Sequence, residues 1–389
     1  MSKRWPFFSL RLCTFSLSGL LAACGGGGSD EAPQATVAIS LTQPSAEEVF
    51  DLNATLTVSA RVTVGGVDAN DGTAVSFATS SGAFAAPAPV TRGGVATASL
   101  RNAAAGRQLL SASVTLSGQS ATATRTVYLR QTPAPLEILV PAYFYPSAGS
   151  AWNALTAGAA AHPSLKVSAI MNPNNGEFSS ADANFVRAAT QFVGAGGHVL
   201  GYVYTRYGTG SRSLASVKTN IDNYLALYGR GLISGIFLDE MGATAPRLEF
   251  YREIYRYIKN KDPSLRVIGN PGLIPVAEYA SVVDAMVTFE GKGAAYQDYD
   301  PRVARPWLYT RANSTQGALV HNVANCAAMQ TAVKAAASAR SNAGLVYMTD
   351  LVYDAVTGTG NPWAALPSYW PSLLQTVDAV NSGKALPSC

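Results

Sequence analysis

The sequence predicts an α/β chain: a parallel (β/α)8 barrel over residues 136–389, preceded by an all-β sandwich over residues 34–131. Three observations carry this. After Leu136, short apolar runs alternate with stretches of helical periodicity, the pattern of a parallel sheet with crossover helices. Eight such runs fit into about 250 residues, the ordinary length of a closed barrel. The texture also changes: of 18 Tyr, all but Tyr128 follow Leu136. Residues 34–130 are instead poor in aromatics and rich in Ala, Thr, Ser, Val and Gly.

The chain has 389 residues, which favours two domains, and at 48% hydrophobic and 13% charged it has ample core material. Residues 1–23 read as a secretory signal, with Lys3 and Arg4 at the start, an apolar stretch from Leu12, and Leu21-Ala22-Ala23 before Cys24. The ending resembles a bacterial lipobox. That resemblance implies cleavage before Cys24, lipidation of its thiol, and a flexible tether over residues 24–33. Gly25 follows the cysteine where Asp favours inner-membrane retention, so the expected location is the cell envelope, as an outer-membrane or cell-surface lipoprotein. The membrane is met through the N-terminal lipid alone. Loss of Lys3, Arg4 and Arg11 with the signal lowers the formal net charge of +4 to +1. With no basic run, no nucleic-acid partner is expected. Cys13 leaves with the signal and Cys24 takes the lipid. Cys326 and Cys389 remain in an oxidising compartment, free to pair or to stay as two thiols.

Period-2 runs such as Ala54–Val62, Gly94–Leu100 and Gln108–Val114, set between turn residues, predict the antiparallel sandwich. Val75-Ser76-Phe77, Ser80-Ser81-Gly82 and Gly94-Val95-Ala96-Thr97, in that order, resemble bacterial Ig-like modules of the invasin type. The expected role is a spacer. Thr132–Pro135 is a stiff linker.

Strands are predicted at Ile138–Phe144, Lys166–Met171, His198–Tyr204, Ile233–Asp239, Leu265–Asn270, Val282–Glu290, Gly317–His321 and Gly344–Thr349. Helical spacing marks Phe185–Val193, Val217–Tyr228, Leu248–Ile258 and Ala324–Arg340. A doubly wound open sheet is the alternative, weakened because no Gly-x-Gly-x-x-Gly turn follows the first strand. In a barrel the site lies at the strand C-termini. Those ends read Tyr143 and Tyr145, Asn172, Tyr204, Asp239 and Glu240, Asn270, Glu290, His321 and Asp350, with Arg206 and Tyr207 just after Tyr204. Carboxylates ending apolar strands are costly unless they open into a polar cleft. Asp239, Glu240 and Glu290 are therefore the catalytic candidates, suited to cleaving a glycosidic bond with one carboxyl as acid and another as nucleophile. The remaining residues are candidates for substrate binding. Trp307 and Trp363 add flat faces for sugar stacking, and His162 and His198 read as structural. No spacing calls for a metal or other cofactor, and no Gly-x-Ser-x-Gly elbow supports a serine hydrolase.

Seven segments carry a family resemblance: Val140–Pro146, Asn172–Gly176, Gly201–Gly208, Gly235–Glu240, Asn270-Pro271-Gly272, Val287–Glu290 and Tyr347–Asp350. In this order they resemble the spherulin-4-like family, grouped with glycoside hydrolase family 135. The resemblance covers nearly all of residues 136–389. It implies a barrel hydrolase acting on α-1,4-linked galactosamine or N-acetylgalactosamine exopolysaccharide of microbial biofilms. The family's acidic pair falls on Asp239 and Glu240, and its later single Glu on Glu290. Glu177-Phe178 departs from the Gly-Pro-Gly-like residues expected there. The roles expected are Asp239 as nucleophile, Glu290 as acid/base and Glu240 as a substrate or tuning group, with Asp239 and Glu240 exchangeable. The expected enzyme is an endo-acting, retaining monomer. A non-catalytic adhesin or matrix lectin on the same barrel is the alternative, and a purely structural surface lipoprotein leaves the Tyr-rich strand ends unexplained.

Overall fold

The computed structural model describes residues 34–303 and 305–389. The predicted signal, Cys24 and the whole of the tether lie outside them. Eight parallel strands close into a barrel in sequence order. They are β1 (Glu137–Ala142), β2 (Val167–Met171), β3 (His198–Tyr204), β4 (Ile233–Asp239), β5 (Arg266–Gly269), β6 (Ala285–Lys292), β7 (Gln316–His321) and β8 (Leu345–Met348). Strand β1 pairs with β8 to complete the ring. Buried on both faces, the strands read as near-continuous apolar runs, which is why the sequence marked them clearly. Strands β4 and β5 approach so closely that a Cβ on Gly235 would lie 2.2 Å from the Arg266 carbonyl oxygen.

The helices are α1 (Ala151–Ala161), α2 (Ala183–Gly194), α3 (Leu214–Asn223), α4 (Leu248–Lys261), α5 (Gly293–Gln297), α6 (Cys326–Ala337) and α7 (Trp370–Asn381). Helix α3 continues as a π turn over Tyr224–Tyr228, so the predicted helix there is two pieces. Between β5 and β6 only a 3-10 turn, Ala277–Ser281, crosses over. Helix α4 buries Tyr251, Ile254 and Ile258, one stripe at helical spacing.

At the N-terminal mouth, buried Glu137 receives Arg266 Nη1 at 2.7 Å, Lys166 Nζ at 3.0 Å and the Ser168 hydroxyl at 2.6 Å. Burial alone would raise its pKa. The two cations and the hydrogen bonds outweigh burial and hold it below the usual carboxylate range. Charge at this end of a barrel serves stability.

The N-terminal region forms two packed sheets. One joins Val37–Gln43, Leu56–Val64, Val95–Arg101 and Ala83–Phe84, with Val67–Asp68 alongside Leu56–Val64, all antiparallel. The other joins Val49–Asp51, Gln119–Arg130, Gly106–Leu116 and Ser76–Thr79. The sandwich is antiparallel, as expected, except at one short strand. Val49–Asp51 runs parallel to Gln119–Arg130, because the chain crosses between sheets after Gln43 and arrives in that strand's direction. The inner faces share a core that includes Val58, Val62, Phe77, Leu110 and Val127.

The sandwich is docked on the barrel. Tyr128 packs on Tyr309 with ring centroids 5.1 Å apart, Arg130 donates to the Ser338 carbonyl at 3.2 Å, and Arg302 donates to the Glu47 carbonyl. The linker is clamped as well, since Asn313 bonds both the N–H and the C=O of Ala134 at 2.8 Å. At the opposite end of the sandwich, Gln34 donates to the carbonyl of Ser117 at the tip of the Gly106–Leu116/Gln119–Arg130 hairpin. Cys326 and Cys389 are joined as a disulfide that ties the tail to the start of α6.

Candidate active site

Strand β4 brings Asp239 to the C-terminal mouth of the barrel, and the next residue turns sharply. Glu240 has φ +48°, a left-handed conformation uncommon for a side chain of this kind. This turn aims the amide of Glu240 at the carboxylate of Asp239. Arg206 (φ +48°) and Tyr207 (φ +56°) are left-handed too, and Tyr207 N–H donates to the Glu240 carbonyl at 2.7 Å. The Thr205 hydroxyl lies 3.0 Å from the Asp239 carbonyl oxygen and 2.7 Å from that of Glu240, with Tyr251 OH 3.0 Å behind it. Strained backbone so tightly braced is characteristic of sites where geometry is set by function.

Strand β6 delivers Glu290 by a different device. Its register with β7 steps from Val287↔Gly317 to Phe289↔Ala318, leaving Thr288 as an extra residue. Such a bulge exchanges the faces of every following side chain. Phe289 thus packs outward on Tyr296 and Tyr299, and Glu290 faces the cleft. The strand also runs on to Lys292, beyond the predicted end at Glu290.

One amide joins the two carboxyls. Asn270 Nδ2 donates to Asp239 Oδ1 at 2.8 Å and to Glu290 Oε2 at 2.6 Å. Laid end to end these bonds span about 5.4 Å, so the two oxygens are no farther apart than the roughly 5–5.5 Å of a retaining glycosidase pair. Asn270 Oδ1 accepts from Gly272 N–H at 3.0 Å, which fixes the amide's orientation. The other oxygen of Asp239 accepts from Tyr202 OH at 2.8 Å.

Burial raises the Asp239 pKa, while Tyr202, the Glu240 amide and Asn270 oppose the rise. Glu290 is pushed up to about 7, by burial first and by the charge of Asp239 second, against hydrogen bonds from Asn270 and Trp363. The two carboxyls thus differ in their donors: Tyr202, the Glu240 amide and Asn270 oppose the rise at Asp239, and Asn270 and Trp363 oppose it at Glu290. Glu240 stands beside them, 3.6 Å from Arg206 Nε, with its Oε2 hydrogen-bonded to nothing among the described residues.

These acids share a cleft of about 710 Å³ with Tyr207, Asn270, His321 and Trp363. His321 presents a ring set edge-on to Tyr353 and Trp363, and burial lowers its pKa, so it is a neutral hydrogen-bonding group. Tyr207 is 55% exposed, a free aromatic face at the rim. Tyr143 lies behind the acids, its ring edge-on to Tyr202 at 5.2 Å.

Other sequence candidates do not line this cleft. Tyr145 hydrogen-bonds Asp182 and Asn184 at the start of α2, and Asp350 binds the Ser368 amide and hydroxyl ahead of α7. Both lie past their strand ends, and each bonds to the segment leading into a helix. Tyr204 leans over the rim to Glu177, at 2.5 Å. Asn172 ends β2 with a buried, unpartnered Oδ1, and Trp307 lies among Val283, Ala285 and Arg311, outside the cleft. Tyr202 was missed by sequence reasoning. Its only signal is that it sits two residues before Tyr204, on the same face of β3.

The sequence profile of spherulation-specific family 4, Spherulin4, matches residues 137–377. The chain belongs to the Spherulin4 family. Spherulin-4 of Physarum polycephalum is 37% identical over 161 residues, which is 41% of this chain and 46% of that protein. The match thus spans about half the length of this relative. The crystal structure of Aspergillus clavatus Sph3 in complex with GalNAc superposes with a TM-score of 0.53 and 26% identity, covering 63% of this chain and 98% of that one. The Spherulin4 match covers β1 to α7 and stops short of the disulfide-tied tail, leaving the sandwich outside it.

Proposed function

We propose that this Spherulin4-family chain is an endo-glycosidase that cleaves α-1,4-linked galactosamine or N-acetylgalactosamine exopolysaccharide with retention of configuration. The observation that carries the reading is the Asn270 bridge, which keeps one oxygen of Asp239 and one of Glu290 within about 5.4 Å of each other in one cleft. The similarity to Sph3, solved with GalNAc, supports the sugar class. In this mechanism Asp239, steadied by Asn270, Tyr202 and the Glu240 amide, attacks the anomeric carbon. Glu290 donates its proton to the leaving glycosidic oxygen, then takes one from the incoming water. Glu240, paired with Arg206 at 3.6 Å, tunes Asp239 or holds a hydroxyl or amine of the bound sugar.

The rest of the proposal concerns placement. Cys24 carries a lipid that holds the protein at the cell surface, residues 24–33 are the tether, and an Ig-like module over 34–131 sets the barrel away from the membrane. The protein acts as a monomer on an amino-sugar polymer. The deciding experiment incubates purified protein with partly deacetylated galactosaminan. Oligosaccharide release, with the first-formed product retaining its anomeric configuration by NMR, is expected. Binding without any cleavage would favour the adhesin or lectin reading, and an inverted product would overturn the roles of Asp239 and Glu290. Full activity in Asp239→Asn would move the nucleophile to Glu240 or to the substrate's 2-acetamido group.

A further inference from the structure

A second polar hollow lies on the same face of the barrel, between the loop after β2 and the first turns of α3. Its volume is about 710 Å³, and its lining includes Asn174, Glu177, Ser179, Ser216 and Thr219. Glu177 is the one charged residue in that lining. Phe178, the one aromatic, is spent in the core, with its ring 4.8 Å from Tyr224 and 5.4 Å from Tyr228. The hollow therefore offers polar contacts rather than a stacking face.

Its carboxylate is held in place. Asn174 and Asn175 are left-handed, at φ +48° and +55°, and Asn174 Nδ2 donates to the Glu177 carbonyl. Gly176 follows at φ +78°, where an added Cβ would lie 2.4 Å from the Tyr202 carbonyl oxygen. The loop is thus pressed against β3. Glu177 Oε1 accepts from Tyr204 OH, and its side chain is 53% exposed. Arg212, buried behind, comes only within 3.8 Å of that oxygen, since its two terminal nitrogens are bonded to the Tyr204 carbonyl and Asn220. Among the described residues nothing binds Glu177 Oε2.

The hollow is linked to the cleft. Glu240 meets Arg206 at 3.6 Å, the Arg206 guanidinium stands 5.2 Å from the Tyr204 ring centre, and Tyr204 reaches Glu177. These contacts form a line of side chains from the cleft, where Glu240 lies, to the hollow.

We propose that the Glu177 hollow is an outer subsite that selects a hexosamine with a free, protonated 2-amino group. The proposal rests on the amino-sugar reading above and extends it, since an unshielded carboxylate oxygen pairs with an ammonium and gains nothing comparable from an acetamide. It makes the chain a reader of deacetylation outside the cleft that holds Asp239 and Glu290.

The test measures binding of α-1,4-linked galactosamine oligosaccharides, partly deacetylated or fully N-acetylated, to Glu290→Gln protein, with and without Glu177→Gln. The amide introduced by Glu177→Gln carries no charge yet still accepts from Tyr204, so the loop is retained. The expected result is a roughly three- to tenfold weaker Kd for the deacetylated oligosaccharide and no change for the acetylated one. Equal weakening of both, or of neither, overturns the subsite. Circular dichroism of both variants guards against misfolding, and Glu177→Asp, which keeps the charge on a shorter arm, should recover part of the preference. Cleavage by the wild-type protein with no effect of Glu177→Gln sinks the subsite alone. Absence of both binding and cleavage sinks the galactosaminidase reading with it.

Discussion

Asn270 is a small residue with a large share of the chemistry. By donating to both carboxyls it lowers the pKa of each, so its loss should show in the pH profile as well as in the rate. The wild-type profile should be bell-shaped. Activity is expected to fall on the alkaline side as Glu290 loses its proton near pH 7, and on the acid side as Asp239 gains one. Asn270→Ala should cut kcat by about 10–100-fold and move the alkaline limb upward. A rate loss with an unmoved limb would reduce Asn270 to a structural part. Glu290→Gln should lower kcat by about 10²–10⁴-fold. It should also stabilise the fold at alkaline pH, and the sign follows from linkage. A carboxyl whose folded pKa rises from 4.5 to about 7 contributes most stability below 4.5 and loses it as pH climbs to 7. Gln removes that loss, so a gain of about 1–2 kcal/mol is expected at pH 8 and none at pH 4, after allowing for partial solvent access. Denaturant titration at the two pH values checks it.

At the scale of elements, the barrel was legible because parallel strands are buried on both faces and announce themselves as apolar runs. Asp239 and Glu240 were legible for the same reason, as charges ending such a run. Glu290 was found by that rule although its strand continues two residues further. What turns it inward is the bulge at Thr288, a matter of register between β6 and β7 with no mark in local composition. Tyr202 stayed hidden because an inward Tyr with a core neighbour on each side looks like packing. Tyr145 and Asp350 lie just past their strand ends and bond to groups ahead of α2 and α7, away from the cleft lining, which their place in the sequence does not reveal. The N-terminal mouth supplies a prediction of its own. Glu137→Leu leaves Arg266 and Lys166 without their shared anion, and about 3–5 kcal/mol of stability should be lost. The native contribution is present above the unfolded carboxylate pKa and disappears as pH falls through the lowered folded one. Chemical denaturation at pH 7 measures the loss, and KM should not move.

In the whole molecule, two long-range ties hold separate regions to the barrel. The Cys326–Cys389 bond closes a sequence separation of 63, worth about 4 kcal/mol on the chain-entropy account. Reductant should lower Tm measurably while leaving turnover unchanged, since neither cysteine lines the cleft. The other tie is the contact of Tyr128 with Tyr309, supported by Arg130, Arg302 and the clamped linker. Scattering profiles should therefore fit one rigid body, and Tyr309→Ala should broaden them toward two hinged ones.

The position of Gln34 has a mechanical consequence. The chain enters the sandwich at the hairpin tip and leaves it for the barrel at the other end, through Arg130. A pull between residue 34 and the barrel therefore runs along the strands, not across them. The ladder of Val37–Gln43 against Leu56–Val64 has its hydrogen bonds perpendicular to that pull, so they share the load in shear and do not open one after another from an end. Loaded this way, the sandwich resists extension as one unit.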